Sequence, residues 1–174
     1  FLKYSAAAAV AVAGSSLLTG CGEDEYQKTG KIGSTLKLMG TFKTYKSADA
    51  PTKAPAYTGN TFTCTVNIKC TTKKVPLYVT NECFELTVTH DKNEKNYAKQ
   101  YINIDKEEYD LKESEGAKDF KLTITPVDIQ DGDKVELKYW PRIQASSGNS
   151  GYTRAFCTWK MTAKKDGTGK IILE

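Results

Sequence analysis

The sequence predicts an all-β domain, an antiparallel β-sandwich of immunoglobulin-like or jelly-roll-like kind with about eight or nine strands. Three observations carry that expectation. Apolar and polar residues alternate with a period of two in one segment after another, as strands with a single buried face require. Thr, which favours strands, occurs 21 times among the 174 residues. Turn-forming clusters recur at short intervals, and no window offers an amphipathic helix of useful length.

The elements follow in order along the chain. Residues 35–46 place Leu36, Leu38, Gly40 and Phe42 on one face. Residues 47–58 (SADAPTKAPAYT) read as a long loop, because too little chain precedes them to form a domain. In 62–70, Phe62, Cys64, Val66, Ile68 and Cys70 alternate with Thr63, Thr65, Asn67 and Lys69. Strands are then expected at 75–80, 84–90, 101–104, 120–126, 135–140, 152–163 and 170–173, with one short helical turn within 106–115. Turns separate them at Thr58-Gly59-Asn60, at residues 90–93, 130–133 and 146–151, and at Asp166-Gly167.

Residues 1–20 differ from the rest. Lys3 is their one charge, SAAAAVAVAGSSLL is small and apolar, and no acid appears before Glu23. That is the layout of a secretory signal peptide; Gly14-Ser15-Ser16 breaks a run already short for a spanning helix. The segment closes on Leu17-Leu18-Thr19-Gly20-Cys21, which resembles the lipobox of bacterial lipoproteins. The resemblance implies cleavage before Cys21 and a diacylglycerol and acyl lipid on that cysteine, with no other cofactor; multiple acyl chains anchor a protein stably where one does not. The Glu23-Asp24-Glu25 run behind it resembles the surface-export signal of some Bacteroidetes lipoproteins. The expected organisation is a signal peptide at 1–20, a lipidated polar tether at 21–34 and one β-sandwich domain at 35–174.

Composition narrows the function. The net charge is only +4, and Arg142 and Arg154 are the only arginines among 25 basic residues, so no nucleic-acid partner is expected. A single histidine excludes a multi-His metal site. With Cys21 assigned to lipid, Cys64, Cys70, Cys83 and Cys157 remain, an even number that in an exported protein reads as two disulfides. Cys64 and Cys70 lie about 20 Å apart on one extended strand, too far to bridge. Of the two pairings left, Cys64–Cys157 with Cys70–Cys83 is preferred. The spacings contain no C-x₂-C knuckle, so no zinc site is expected.

Catalytic signatures are missing. No G-x-S-x-G, H-E-x-x-H, P-loop or G-x-G-x-x-G occurs. His90 and Asp91 are neighbours on a strand end and point to opposite faces. Asp131-Gly132-Asp133 is half a calcium loop without the closing Glu and reads as a hairpin turn. The acids Asp105, Glu107, Glu108 and Asp110 are interleaved with Lys106 and Lys112 and read as a solvated face. The sharper expectation is a binding surface: Trp140 on the outward face of its strand, with Tyr152, Arg154 and Tyr57, as a stacking platform for sugar rings or a protein hot spot. The chain is expected to be a non-enzymatic binding or structural module outside the cytoplasm, held at the outer membrane or cell surface by its lipid. Its partner is the membrane together with a protein or a glycan. A carbohydrate-binding module is the alternative, and an envelope hydrolase a remote one.

Overall fold

The computed structural model describes residues 26–46, 49, 52–144, 150–152 and 154–174; the expected signal segment, Cys21 and the Glu23-Asp24-Glu25 run lie outside the described residues. The described chain is β throughout. Its strands are β1 (Gln27–Lys31), β2 (Thr35–Lys37), β3 (Gly40–Thr44), β4 (Ala56–Thr58), β5 (Thr61–Cys70), β6 (Leu77–Val79), β7 (Phe84–His90), β8 (Asn93–Tyr97), β9 (Ile102–Ile104), β10 (Tyr109–Leu111), β11 (Ala117–Ile124), β12 (Lys134–Tyr139), β13 (Arg142–Gln144), β14 (Ser150–Tyr152), β15 (Phe156–Lys165) and β16 (Ile171–Leu173). Three single-turn 3-10 helices, at Asn81–Cys83, Lys99–Tyr101 and Glu113–Glu115, interrupt them.

Sixteen described strands replace the eight or nine expected, for identifiable reasons. The alternating stretch 35–46 is two strands, because the chain folds back at Leu38 and Met39 and pairs Leu36 with Phe42. Part of the expected tether, Gln27–Lys31, is a strand, and so is part of the expected loop, Ala56–Thr58. Both are polar edge strands, held by backbone hydrogen bonds to one neighbour and carrying no apolar alternation to betray them. β8 (NEKNY) is a third of this kind, with four of its five residues exposed.

The strands form three sheets. One runs β1-β15-β12-β7-β8 with β16 also on β15; a second runs β2-β3-β5-β11-β9 with β4 also on β5; a small third runs β10-β6-β13-β14. Every pairing is antiparallel except β1 on β15. Alternation decides what is buried. β12 turns Val135, Leu137 and Tyr139 inward, and β15 turns Cys157, Trp159, Met161 and Ala163 the same way, all nearly inaccessible to solvent. β5 buries Phe62, Cys64, Val66, Ile68 and Cys70, and β11 adds Phe120, Leu122 and Ile124. The first two sheets meet where Phe42 of β3 packs edge-on against Tyr139 of β12 at 4.9 Å. Each large apolar side chain buried there contributes about 1.5–3 kcal/mol.

Register defines two ends. At the near end β1 and β15 begin together, Gln27 opposite Phe156, while β12 ends with Tyr139 opposite both Cys157 and Phe84. At the far end lie His90, the Gln130–Asp133 turn and the last residues of β15.

Among the described glycines, Gly40 has the closest neighbour: a Cβ built there would stand 2.2 Å from the Lys69 carbonyl oxygen. Gly40→Ala is therefore expected to lower stability by about 1–3 kcal/mol in urea unfolding. At Gly167 nothing lies within 4 Å of a built Cβ. Gly167→Ala should stay within about 0.5 kcal/mol of the parent.

Candidate functional site

The near end carries a pair of outward aromatic rings, Trp140 and Phe156. Trp140 follows β12 on the outer face of its sheet, half-buried, its backbone N–H donating to the Cys83 carbonyl at 2.8 Å. Its ring packs against Phe156 at 5.7 Å with the planes inclined by 44°. The Lys138 ammonium stands over both rings, 5.8 Å from Trp140 and 5.7 Å from Phe156. Cation–π contacts of this kind contribute about 0.5–1 kcal/mol at exposed sites. Arg154 is exposed at the same end and shares a groove of about 510 Å³ with Tyr26, Lys28, Lys37, Leu38, Met39 and Ala155.

The expected four-residue platform is only partly assembled. The side chain of Tyr152, in β14, lies outside the described residues. Tyr57 is at the other end, because its strand pairs with the start of β5, opposite Phe62. Its hydroxyl donates to the Val127 carbonyl at 3.0 Å and accepts the Ile129 N–H at 3.3 Å, so it braces the 127–129 segment. Trp140 and Arg154 therefore share an end that Tyr57 does not. Phe156 and Lys138, which complete the Trp140 cluster, were legible as outward positions of their strands.

The far end holds an arrangement that the sequence conceals. His90 is joined by Asp133, 43 residues away, and not by adjacent Asp91: Nδ1 lies 2.5 Å from Asp133 Oδ1, whereas Nε2 is 3.7 Å from Asp91 Oδ2. β7 and β12 pair side by side, Lys134 opposite Thr89, which carries the turn before β12 up to the end of β7. The Asp133 side chain is 2% exposed, and its second oxygen accepts the Gln130 N–H at 2.7 Å. Asp131 Oδ1 accepts the Lys165 N–H at 2.8 Å. Both carboxylates of the Asp131-Gly132-Asp133 turn are thus committed to internal hydrogen bonds. Among the described residues, no group of three or more His, Cys, Asp or Glu is placed to hold a metal ion.

A second polar cluster lies on β11. Asp119 accepts from Asn67 at 2.8 Å, from the Tyr45 hydroxyl at 3.2 Å and from Lys53. Burial alone would raise its pKa; the hydrogen bonds from Lys53 and Asn67 outweigh burial and hold it below the usual carboxylate range. The cluster ties the segment before β4 to the sheet. A further cleft, of about 640 Å³, carries mixed charge, with Lys160 paired to Glu136 at 3.4 Å and Lys164 to Glu174 at 2.6 Å.

The cysteines correct an expectation. Cys64, Cys70, Cys83 and Cys157 are all buried free thiols, and neither Cys64–Cys157 nor Cys70–Cys83 is bridged. The first pair fails on level: Cys157 is opposite Tyr139 at the near end, whereas Cys64 lies six residues before Cys70, about 20 Å toward the far end. In the second pair each thiol turns to a backbone carbonyl, Cys70 to Thr72 at 3.5 Å and Cys83 to Tyr78 at 3.5 Å. Burial pushes the Cys83 thiol up to about 11 and the Cys157 thiol to about 12, and raises Cys64 as well. The Tyr139 hydroxyl is buried without a hydrogen-bond partner in the described structure; burial first, then the electrostatic influence of Cys83, Cys157 and Cys70, raises its pKa.

Two measurements check these sites. The Asp133 hydrogen bond, outweighing desolvation, raises the His90 pKa above 6.5. A raised histidine stabilises the fold fully below the unfolded-state pKa and loses that contribution as pH climbs through the folded-state value. Chemical unfolding from pH 5 to pH 9 should show this loss, and His90→Gln should remove that part of the pH dependence. Alkylation without reductant should leave Cys64, Cys70, Cys83 and Cys157 unmodified while folded and label all four once unfolded. Four sites that stay blocked after unfolding would mean the bridges exist.

No protein-family model, no curated protein and no solved structure matches the chain.

Proposed function

We propose that this chain is a lipid-anchored bacterial envelope protein, acylated at Cys21, that displays a β-sandwich as a binding or structural module. The observation that carries the reading is the Leu17-Leu18-Thr19-Gly20-Cys21 motif, placed where an apolar, acid-free segment gives way to a polar one.

The sheet order supports an immunoglobulin-like sandwich. The path β1-β15-β12-β7-β8 would form one layer and β2-β3-β5-β11-β9 the other, with Phe42 and Tyr139 in contact between them. In this reading the parallel pairing of β1 with β15 is the device that brings the anchored end of the chain onto the sandwich. Function is then display outside the cytoplasm, at the outer membrane or cell surface, with no catalytic step. The Trp140–Phe156 pair under Lys138 supports recognition at the near end, and the remote position of Tyr57 weighs against the broad sugar platform.

Intact-mass measurement of the protein purified from membranes tests the anchor. The expected species begins at Cys21 and carries diacylglycerol with or without a further acyl chain, and Cys21→Ser abolishes the added mass. A species with an unmodified Cys21 overturns the reading.

A further inference from the structure

We propose that β16 is a self-pairing edge: two copies of this chain join antiparallel along Ile171–Leu173, so that their first sheets run together into one. The inference is independent of attachment at Cys21. β16 pairs with β15 alone, which leaves its other side open. Thr162 and Glu174 exchange both backbone hydrogen bonds, at 2.8 and 3.0 Å, and the Asp166 N–H donates to the Lys170 carbonyl at 2.8 Å. Antiparallel ladders alternate, so Lys170, Ile172 and Glu174 turn their backbone groups to β15, whereas Ile171 and Leu173 turn theirs away from it. The outward groups of Ile171 and Leu173 make no hydrogen bond among the described residues. Both residues line a groove of about 490 Å³ whose opposite wall includes Pro55, Ala56 and Tyr57, and β4 does not pair with β16 across it.

Residue order selects the partner. Open edges are ordinarily blunted by charge, as β8 is by Glu94 and Lys95. β16 instead presents Ile172, 39% exposed and the only exposed large apolar side chain besides Tyr26 among the described residues. Lys170 and Glu174 flank it on the same outer face, both exposed. Laid antiparallel on itself about Ile172, this order sets Lys170 of each copy against Glu174 of the other, with the two Ile172 side chains together between them. The same register brings Ile171 opposite Leu173 of the second copy, where the outward N–H and C=O groups of each pair satisfy one another. A parallel arrangement would set lysine against lysine and glutamate against glutamate. Lys170 is in no ion pair among the described residues. Glu174 accepts from Lys164 at 2.6 Å through Oε2, and its Oε1 is left for the second copy. The contact is isologous and closes as a two-fold dimer.

The test is native mass spectrometry of the full chain, purified in detergent and released from the micelle, over a range of protein concentrations. A dimer whose share rises with concentration is expected. Lys170→Glu and Glu174→Lys, each alone, place like charges opposite one another at both ends of the pairing and should raise the dissociation constant by about tenfold or more. Mixing these two variants, one of them labelled with ¹⁵N, should restore the dimer as the mixed species, because only that combination sets opposite charges together. Ile172→Lys should be monomeric while circular dichroism retains the β signal of the parent. A monomer at every concentration leaves the edge to a different chain and overturns the proposal. A dimer indifferent to all three substitutions places the contact elsewhere and also overturns it. So does a mixture of the two charge variants that yields no mixed dimer, a result that misfolding of Ile172→Lys cannot imitate.

Discussion

β15 is held from both sides along its first half, by β1 in parallel and by β12 in antiparallel, and its register settles the positions of most other groups. A slip of one residue would exchange Cys157, Trp159, Met161 and Ala163 with Phe156, Thr158, Lys160 and Thr162 and turn the core face outward. Trp159 adds a second lock. Its indole N–H donates to the Ser34 carbonyl at 3.1 Å, which ties the β1–β2 connection to the inner face of the sheet. From that register follow the position of Phe156 beside Trp140, the level of Cys157 and the meeting of β1 with the near end.

The two ends then acquire different chemistry. At the near end β12 stops at Tyr139, and the next outward residue is an aromatic ring beside Phe156, with Lys138 bridging both. At the far end the turns are built from carboxylates that accept backbone N–H groups, and His90 joins one of them. Between the ends the buried residues are mostly apolar, with the thiols, the Tyr139 hydroxyl and the threonines Thr44, Thr65, Thr87 and Thr158 among them. A phenol buried without a partner costs free energy of the order of 1–3 kcal/mol. Its ring contacts with Phe42 and Phe84, at 4.9 and 5.0 Å, oppose that cost.

How far each element was legible depended on whether burial had written it into the residue order. β5, β7, β12 and β15 are half-buried strands, and their alternation predicted both their existence and their inward faces. β1, β4 and β8 pair with only one strand each and are mostly exposed, so selection for burial left no pattern in QKTGK, AYT or NEKNY. The break at Leu38 and Met39 leaves no mark in the residue order, because a two-residue reversal preserves the alternation on either side of it. Of the site residues, Trp140 was legible as an outward ring at a strand end. Its partners required the neighbouring strand, and Tyr57 was drawn toward it only by residue type. The His90–Asp133 pair could not be found by spacing, since adjacent Asp91 is the nearer carboxylate in sequence and the farther one in space.

By itself the sequence determined the β class, the inward faces of the long strands and the position of the abrupt change at Cys21. All three follow from local chemistry: side-chain alternation, β-branched content and the ordering of apolar and charged residues. Tertiary structure alone decided that Cys157 stands level with Tyr139 and not with Cys64, that His90 meets Asp133, and that Lys37, Arg154 and Tyr26 share one groove. Each of these depends on the register between strands far apart in the chain, and register is set by the packing of whole faces, which no single segment encodes.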